Sequence, residues 1–276
     1  MLIKSALYLL MGSALATAGS GMTHAADTTG NLADKHMISI GATRQATDIT
    51  LSATSENFEP SPLTLDDLGV EKRDTSYFID YRYRITPRWS VFAGAYSFSG
   101  AGETINSRDF NFDGVDFTAD TQLRADLDID AYMLDILYSV HRSEKVEVLL
   151  GAGLHALDFG VALAGNLQIG DEALSAQTAA ANLLAPVPNL RGSATWQLSD
   201  RFELNLVGGW LSANVGDYDG NFVYAHLRGF YRFGEHFGAS LGYQLTDIDI
   251  TQTRERSTID INAQLDGPSL TLTYGF

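Results

Sequence analysis

From Arg124 to Val140 the chain reads RADLDIDAYMLDILYSV, and its even positions change character midway. Arg124, Asp126, Asp128 and Asp130 are charged, whereas Tyr132, Leu134, Ile136, Tyr138 and Val140 are apolar or aromatic. In a β-strand these residues share one face, because side chains alternate with a period of two. The odd positions do the reverse: Leu123, Ala125, Leu127 and Ile129 come first, then Asp135 and Ser139 interrupt apolar neighbours. A sheet in one solvent keeps its apolar side on one face throughout. A strand whose faces exchange roles halfway passes between two media.

The pattern recurs. Ten alternating segments are expected near 36–54, 74–86, 89–104, 121–140, 145–165, 183–198, 201–216, 221–233, 236–252 and 257–276. Short turns fall at ITPRW (85–89), HRSEK (141–145), LSDRF (198–202) and FGEHF (233–237). The intervening connections at 55–73, 105–120 and 166–182 are longer and more polar, with DYDG (217–220) a tight exception. Beside each short turn one parity is apolar for about five positions, enough tilted strand to cross a bilayer's hydrocarbon. Tyr77, Ile79, Tyr81, Tyr83 and Ile85 form one such set, and Phe202, Leu204, Leu206, Gly208 and Trp210 another. Aromatic residues sit near both ends of these sets, Trp89, Tyr138 and Phe237 low, Tyr77, Tyr132 and Trp210 high.

The opposite parity in the same zone carries Asp80, Arg82, Arg84, Asp135, Glu147, Arg191, Glu203, Asn205, His226, Arg228 and Arg232. A closed barrel places them inside, where opposite charges must pair because unpaired burial is costly. Ten strands enclose little more than the eight whose side chains already fill the interior. A wide diffusion pore is therefore not expected. Further from the short turns the inward parity becomes apolar, with Leu127, Ile129, Leu157, Phe159, Val161, Leu211, Ile248 and Ile261. These residues form either a packed core or a pocket for a lipophilic molecule.

The final residues SLTLTYGF, alternating apolar positions that end on Phe276, resemble the assembly signal of Gram-negative outer-membrane β-barrel proteins. The likeness covers residues 36–276. It implies an all-β, closed antiparallel transmembrane barrel of about ten strands that extends beyond the membrane on the extracellular side. It also implies periplasmic N- and C-termini, a lipid and lipopolysaccharide environment, and recognition of the Phe276 strand by the barrel-assembly machinery. Some ten-stranded members are proteases with Asp and His pairs at the extracellular mouth. Here His155 and His226 are both inward, and no inward serine stands out beside them in the sequence. A hydrolase is the alternative to a non-enzymatic barrel that binds or passes a small or hydrophobic solute, or has a structural role at the surface.

Composition agrees with export. Residues 1–25, with Lys4, the apolar run SALYLLMGSALATA and small residues Thr23 and Ala25, read as a signal peptide, and 26–35 as a short periplasmic segment. There is no cysteine, and 34 acidic residues outnumber 18 basic ones, which argues against nucleic acid as a partner. No cofactor is expected. Outward aspartates (Asp126, Asp128, Asp130, Asp158, Asp247, Asp249, Asp260 and Asp266) form either a solvated face or a belt that bridges calcium or magnesium to lipopolysaccharide phosphates. The segment SPLTLDDLGV (61–70) is either a lid over the mouth or an ordered loop.

Overall fold

A computed structural model of the chain describes residues 34–55, 62–112, 114–169, 172–215, 217–253 and 257–276. The expected signal peptide lies outside the described residues, as does all of 26–35 except Asp34 and Lys35. In chain order the strands are β1 (His36–Ser55), β2 (Leu63–Thr64), β3 (Arg73–Arg84), β4 (Trp89–Ile105), β5 (Phe110–Phe112), β6 (Val115–Phe117), β7 (Gln122–Arg142), β8 (Val146–Ile169), β9 (Glu172–Gln197), β10 (Phe202–Val215), β11 (Tyr218–Arg232), β12 (Phe237–Thr253) and β13 (Ser257–Gly275). All except β2, β5 and β6 form an antiparallel ring closed by β1 against β13, in register from Met37–Gly275 to Ser55–Ser257. The expected ring of ten strands is present. At the seam the His36 N–H donates to the Phe276 carbonyl, the Phe276 N–H returns the bond, and their rings stack at 4.9 Å.

Strand β7 shows why a barrel forms. Its odd residues from Leu123 to Ile129, then Asp135, Leu137 and Ser139, are buried, while the even ones face outward as far as Val140, where a bulge breaks the alternation. The outward side chains are acidic at the top and apolar below. At about 3.3 Å per residue, its 21 residues span about 70 Å, or about 50 Å upright when tilted by about 45°. That exceeds the hydrocarbon thickness of about 25–30 Å, so the strand projects well beyond the lipid. Exposed Leu134, Ile136, Leu150, Leu190, Leu206, Leu227, Leu241, Leu270 and Leu272 form the apolar belt on neighbouring strands. Its lower rim carries Trp89 against Tyr138 (5.0 Å) and Phe237 against Tyr274 (4.9 Å). Its upper rim carries Tyr77, Tyr243 and Trp210.

Two connections depart from expectation. Residues 166–182, read as a polar loop, are mostly strand: β8 runs up to Ile169 and β9 starts at Glu172, paired along their length. The alanine-rich run SAQTAAANLLAPVP gives little contrast between faces, and Pro186 and Pro188 argue against a central strand. Both prolines lie above Leu190–Trp210, where the β9–β10 ladder ends, so that flank of β9 is an edge. The 105–120 connection contains the β5–β6 hairpin, whose Phe110 and Phe117 stack at 4.9 Å and are buried with Phe112.

The 61–70 segment, described from Pro62 onward, completes the wall. Strand β3 pairs with β4 only up to Tyr77–Ser97. Above that point β2 pairs with Leu51 and Thr50 of β1, while Val70 bridges to Gly102 of β4. Its turn is held by Thr64, whose backbone N–H and hydroxyl both donate to Asp67 at 2.9 Å. A side chain at Gly102 would meet the Leu68 carbonyl at 2.4 Å, so the approach needs glycine. Leu63, Leu65, Leu68 and Val70 point into the core.

Candidate functional site

The lower interior is a ladder of charge pairs. Arg84 grips Glu147 with two guanidinium nitrogens at 2.8 Å each, and Arg142 lies 3.8 Å from the same carboxylate. Arg232 pairs with Asp34, whose backbone carbonyl accepts from Arg82 at 3.1 Å. The Glu203 carboxylate is buried in the same lumen. Asn205 donates to Thr195 at 2.9 Å. Paired guanidiniums and carboxylates are the stable way to fill a ring interior whose outer face is already apolar.

At the waist, where lumen chemistry changes from polar to apolar, a second network gathers. Asp135, fully buried, accepts from Arg191 at 2.6 Å and lies 3.1 Å from His155 Nε2. Asn189 reaches His155 Nε2 at 3.2 Å and donates to the Tyr224 hydroxyl at 3.3 Å. The rings of Phe222 and Tyr224 each stand 6.0 Å from His155. On the facing wall Arg228 Nε donates to His226 Nδ1 at 3.1 Å, and His226 Nε2 is 2.9 Å from Ser269 Oγ. Asp80 lies 3.7 Å from Arg228.

The His226–Ser269 contact was not foreseen from sequence. The two residues lie on β11 and β13, with β12 between them, and meet across Gly242. A side chain at Gly242 would come within 2.9 Å of both Arg228 and Ser269 Oγ. The sequence signal is a lone glycine at an inward position of β12, legible only once the register is known. The tautomer follows from the bonds. Because His226 Nδ1 accepts from Arg228, the ring proton sits on Nε2 and points at Ser269. A serine nucleophile needs the opposite arrangement, with a free Nε2 and a carboxylate on Nδ1–H.

Two cavities meet at this waist. The lower, about 120 Å³, is lined by Arg82, Glu147, Glu203, Asn205 and Ser193 among others. The upper, about 130 Å³, is bounded by Ile129, Leu157, Phe222, Tyr224, Ile248 and Leu265. Asp80, Met133, Arg191, Val207 and Arg228 line both. Higher still, the apolar residues pack. Leu127, Ile129, Leu157, Phe159, Val161, Ile248 and Ile261 are each 1–5 % exposed and belong to one cluster with Leu65, Leu68, Phe110, Phe112 and Phe117. A void of about 10 Å³ lies beside Phe112, Phe159, Val161 and Ile261. The residues expected to form either a packed core or a pocket are thus divided: Phe159, Val161 and Ile261 border this small void, while Ile129, Leu157 and Ile248 line the upper cavity. Leu211 is in β10, but its side chain lies outside the described residues.

The outward aspartates lie along the upper wall on several strands. Asp128 accepts from Ser99 at 2.8 Å, Asp126 is 3.7 Å from Arg124, and Asp130 stands opposite Asp158 across β7 and β8. Asp247 accepts from Gln264 at 3.5 Å, and Asp249 pairs in register with Asn262. Among the described residues no three His, Cys, Asp or Glu side chains gather as a metal-binding group.

The ring, the apolar belt and the projecting upper strands define a closed, ten-stranded transmembrane barrel. No family model matches the chain, and no curated protein matches it. Solved structures do. The outer membrane protease OmpT of Escherichia coli superposes with a TM-score of 0.59 at 10 % identity, covering 93 % of this chain and 100 % of that one. OprG from Pseudomonas aeruginosa matches at TM-score 0.43 and 15 % identity, over 91 % of this chain and 100 % of that one. The chain has the fold of Gram-negative outer-membrane β-barrel proteins. At these identities the likeness is one of fold.

Proposed function

We propose that the chain is a non-enzymatic outer-membrane protein that stands as a sealed column, its strands carrying an acidic wall above the lipid. In this reading residues 1–25 direct export, both termini are periplasmic, and the Phe276 strand is the handle for the assembly machinery. The outward aspartates border lipopolysaccharide, where a divalent cation shared with its phosphates would ease their repulsion. The observation that carries the sealed column is the filling of the upper interior by the β5–β6 hairpin and the 62–70 segment, whose leucines and phenylalanines are 1–5 % exposed. Burying this much apolar surface is strongly favourable, so the hairpin is held as core.

Liposome swelling with small sugars tests the proposal. Wild-type protein leaves swelling at the level of blank vesicles, and a chain with residues 109–118 replaced by a glycine-serine linker raises it. Swelling by the wild type would overturn the sealed column.

The hydrolase reading has one observation in its favour, the 2.9 Å His226–Ser269 contact. The Arg228 bond at Nδ1 counts against it, as does the complete burial of the Asp135–His155 pair. Ester or peptide hydrolysis that disappears in a folded His226→Ala variant would establish the hydrolase instead.

A further inference from the structure

We infer that the upper waist cavity is a binding site for a small apolar carboxylate of about benzoate size. The cavity joins two kinds of wall. Ile129, Ala131, Leu157, Ile248 and Leu265 form an apolar chamber, and the Phe222 and Tyr224 rings, 5.4 Å apart, form one side. Its volume of about 130 Å³ is close to the roughly 150 Å³ of apolar cavity known to hold one benzene ring.

The floor is rich in hydrogen-bond donors. Arg191 spends Nη1 on Asp135, stacks over the Phe92 ring at 4.7 Å, and leaves its buried Nε without a partner. Arg228 spends Nε on His226, while its Nη1 remains 3.7 Å from Asp80, beyond hydrogen-bond reach. The Tyr224 hydroxyl accepts from Asn189, so its own proton is available to the cavity. Gln244 and Thr246 add further polar groups. Two guanidiniums and a phenol proton below an apolar chamber match a planar two-oxygen anion attached to a ring or short chain. A neutral hydrocarbon would leave those donors unserved, and a phosphate would have nothing to place against Leu157 and Ile248.

Asp80 makes the assignment sharp. Its carboxylate shares the floor with the bound anion and opposes it, while Arg228 attracts it. Benzoate affinity should therefore respond to these two residues in opposite directions, whereas a neutral analogue of the same shape should not.

The test is calorimetric titration of the purified full barrel in detergent micelles with benzoate and with benzyl alcohol. Folding of each variant is checked by heat-modifiable gel mobility. Wild-type protein should bind benzoate saturably. Asp80→Asn should tighten benzoate severalfold, and Arg228→Gln should weaken it about tenfold, the effect of losing one charged hydrogen bond. Benzyl alcohol should bind more weakly and alike in all three. Ala131→Phe, which fills the chamber, should abolish both. Equal binding of benzoate by wild type and folded Ala131→Phe would overturn the site, as would no saturable benzoate binding at all. Benzyl alcohol bound more tightly than benzoate would overturn the carboxylate assignment. None of these outcomes depends on whether the column conducts, so the site and the sealed-column reading stand or fall separately.

Discussion

The two storeys of this barrel solve opposite problems with the same strands. In the membrane the outer face meets oil, so side chains such as Leu134, Ile136, Leu270 and Leu272 are exposed and apolar, and the interior is left with charge. Above the lipid the outer face meets water, so Asp126, Asp128 and Asp249 are exposed and the interior is apolar. The filling differs accordingly. Below, long arginines reach across the lumen and lock onto carboxylates, as Arg84 does with Glu147. Above, where the inward side chains are apolar, the chain brings in the β5–β6 hairpin and a wall segment at 62–70 to fill the interior. A ring of fixed circumference is filled by reach where its interior is polar, and by added chain where it is apolar.

The contrast can be broken at several points. The largest effect is expected for Phe112→Asp, which puts an unpaired charge among Phe159, Val161 and Ile261. About 4 kcal/mol or more of upper-storey stability should be lost. Limited proteolysis should cut the upper strands while the membrane ring keeps its heat-modifiable mobility. If upper and lower parts unfold as one, the two storeys are a single cooperative unit.

Next, Asp135→Ala leaves the guanidinium of Arg191 buried without its carboxylate, at a cost of about 3–5 kcal/mol by urea unfolding in lipid vesicles. Replacing Arg84 and Glu147 together by Met and Leu should cost far less, because neither charge is stranded. A smaller effect is expected on the outer face. Ile136→Arg in the belt should cost about 2–4 kcal/mol. Asp128→Asn on the same parity above the lipid should stay within about 0.5 kcal/mol. Comparable losses for these last two variants would mean that no change of medium occurs between Asp128 and Ile136.

The ring itself was legible in the sequence, because a period of two combined with a change of medium marks each strand twice. β7, β12 and β13 carry that double mark, with Asp130 above Tyr132, Asp247 above Tyr243 and Asp266 above Leu270. The upper half of β9 does not carry it, since alanines look alike on both faces and its prolines signal a break. The interior fill was hidden for another reason. Phe110, Phe112 and Phe117 sit among Asn and Asp residues that read as a polar loop, and their burial depends on a chamber built by strands distant in the sequence. The lumen charges were visible as a set. Their partners were not, because Arg84 meets Glu147 and His226 meets Ser269 across the ring and across Gly242.

Among the described residues, one flank of the upper wall shows no added segment of this kind. Among the described residues the hydrogen-bonded ladder between β9 and β10 stops at Leu190–Trp210, while β8–β9 and β10–β11 each continue upward as paired strands. Two leaves that share buried side chains but, among the described residues, no backbone ladder above that pair behave as an expansion joint: the column can widen there by bending, with no backbone bond broken. Thermal breathing of the upper wall should then concentrate along one vertical line, beginning just above Arg191. Amide exchange should map it as a stripe of fast protons facing the gap on otherwise slow strands.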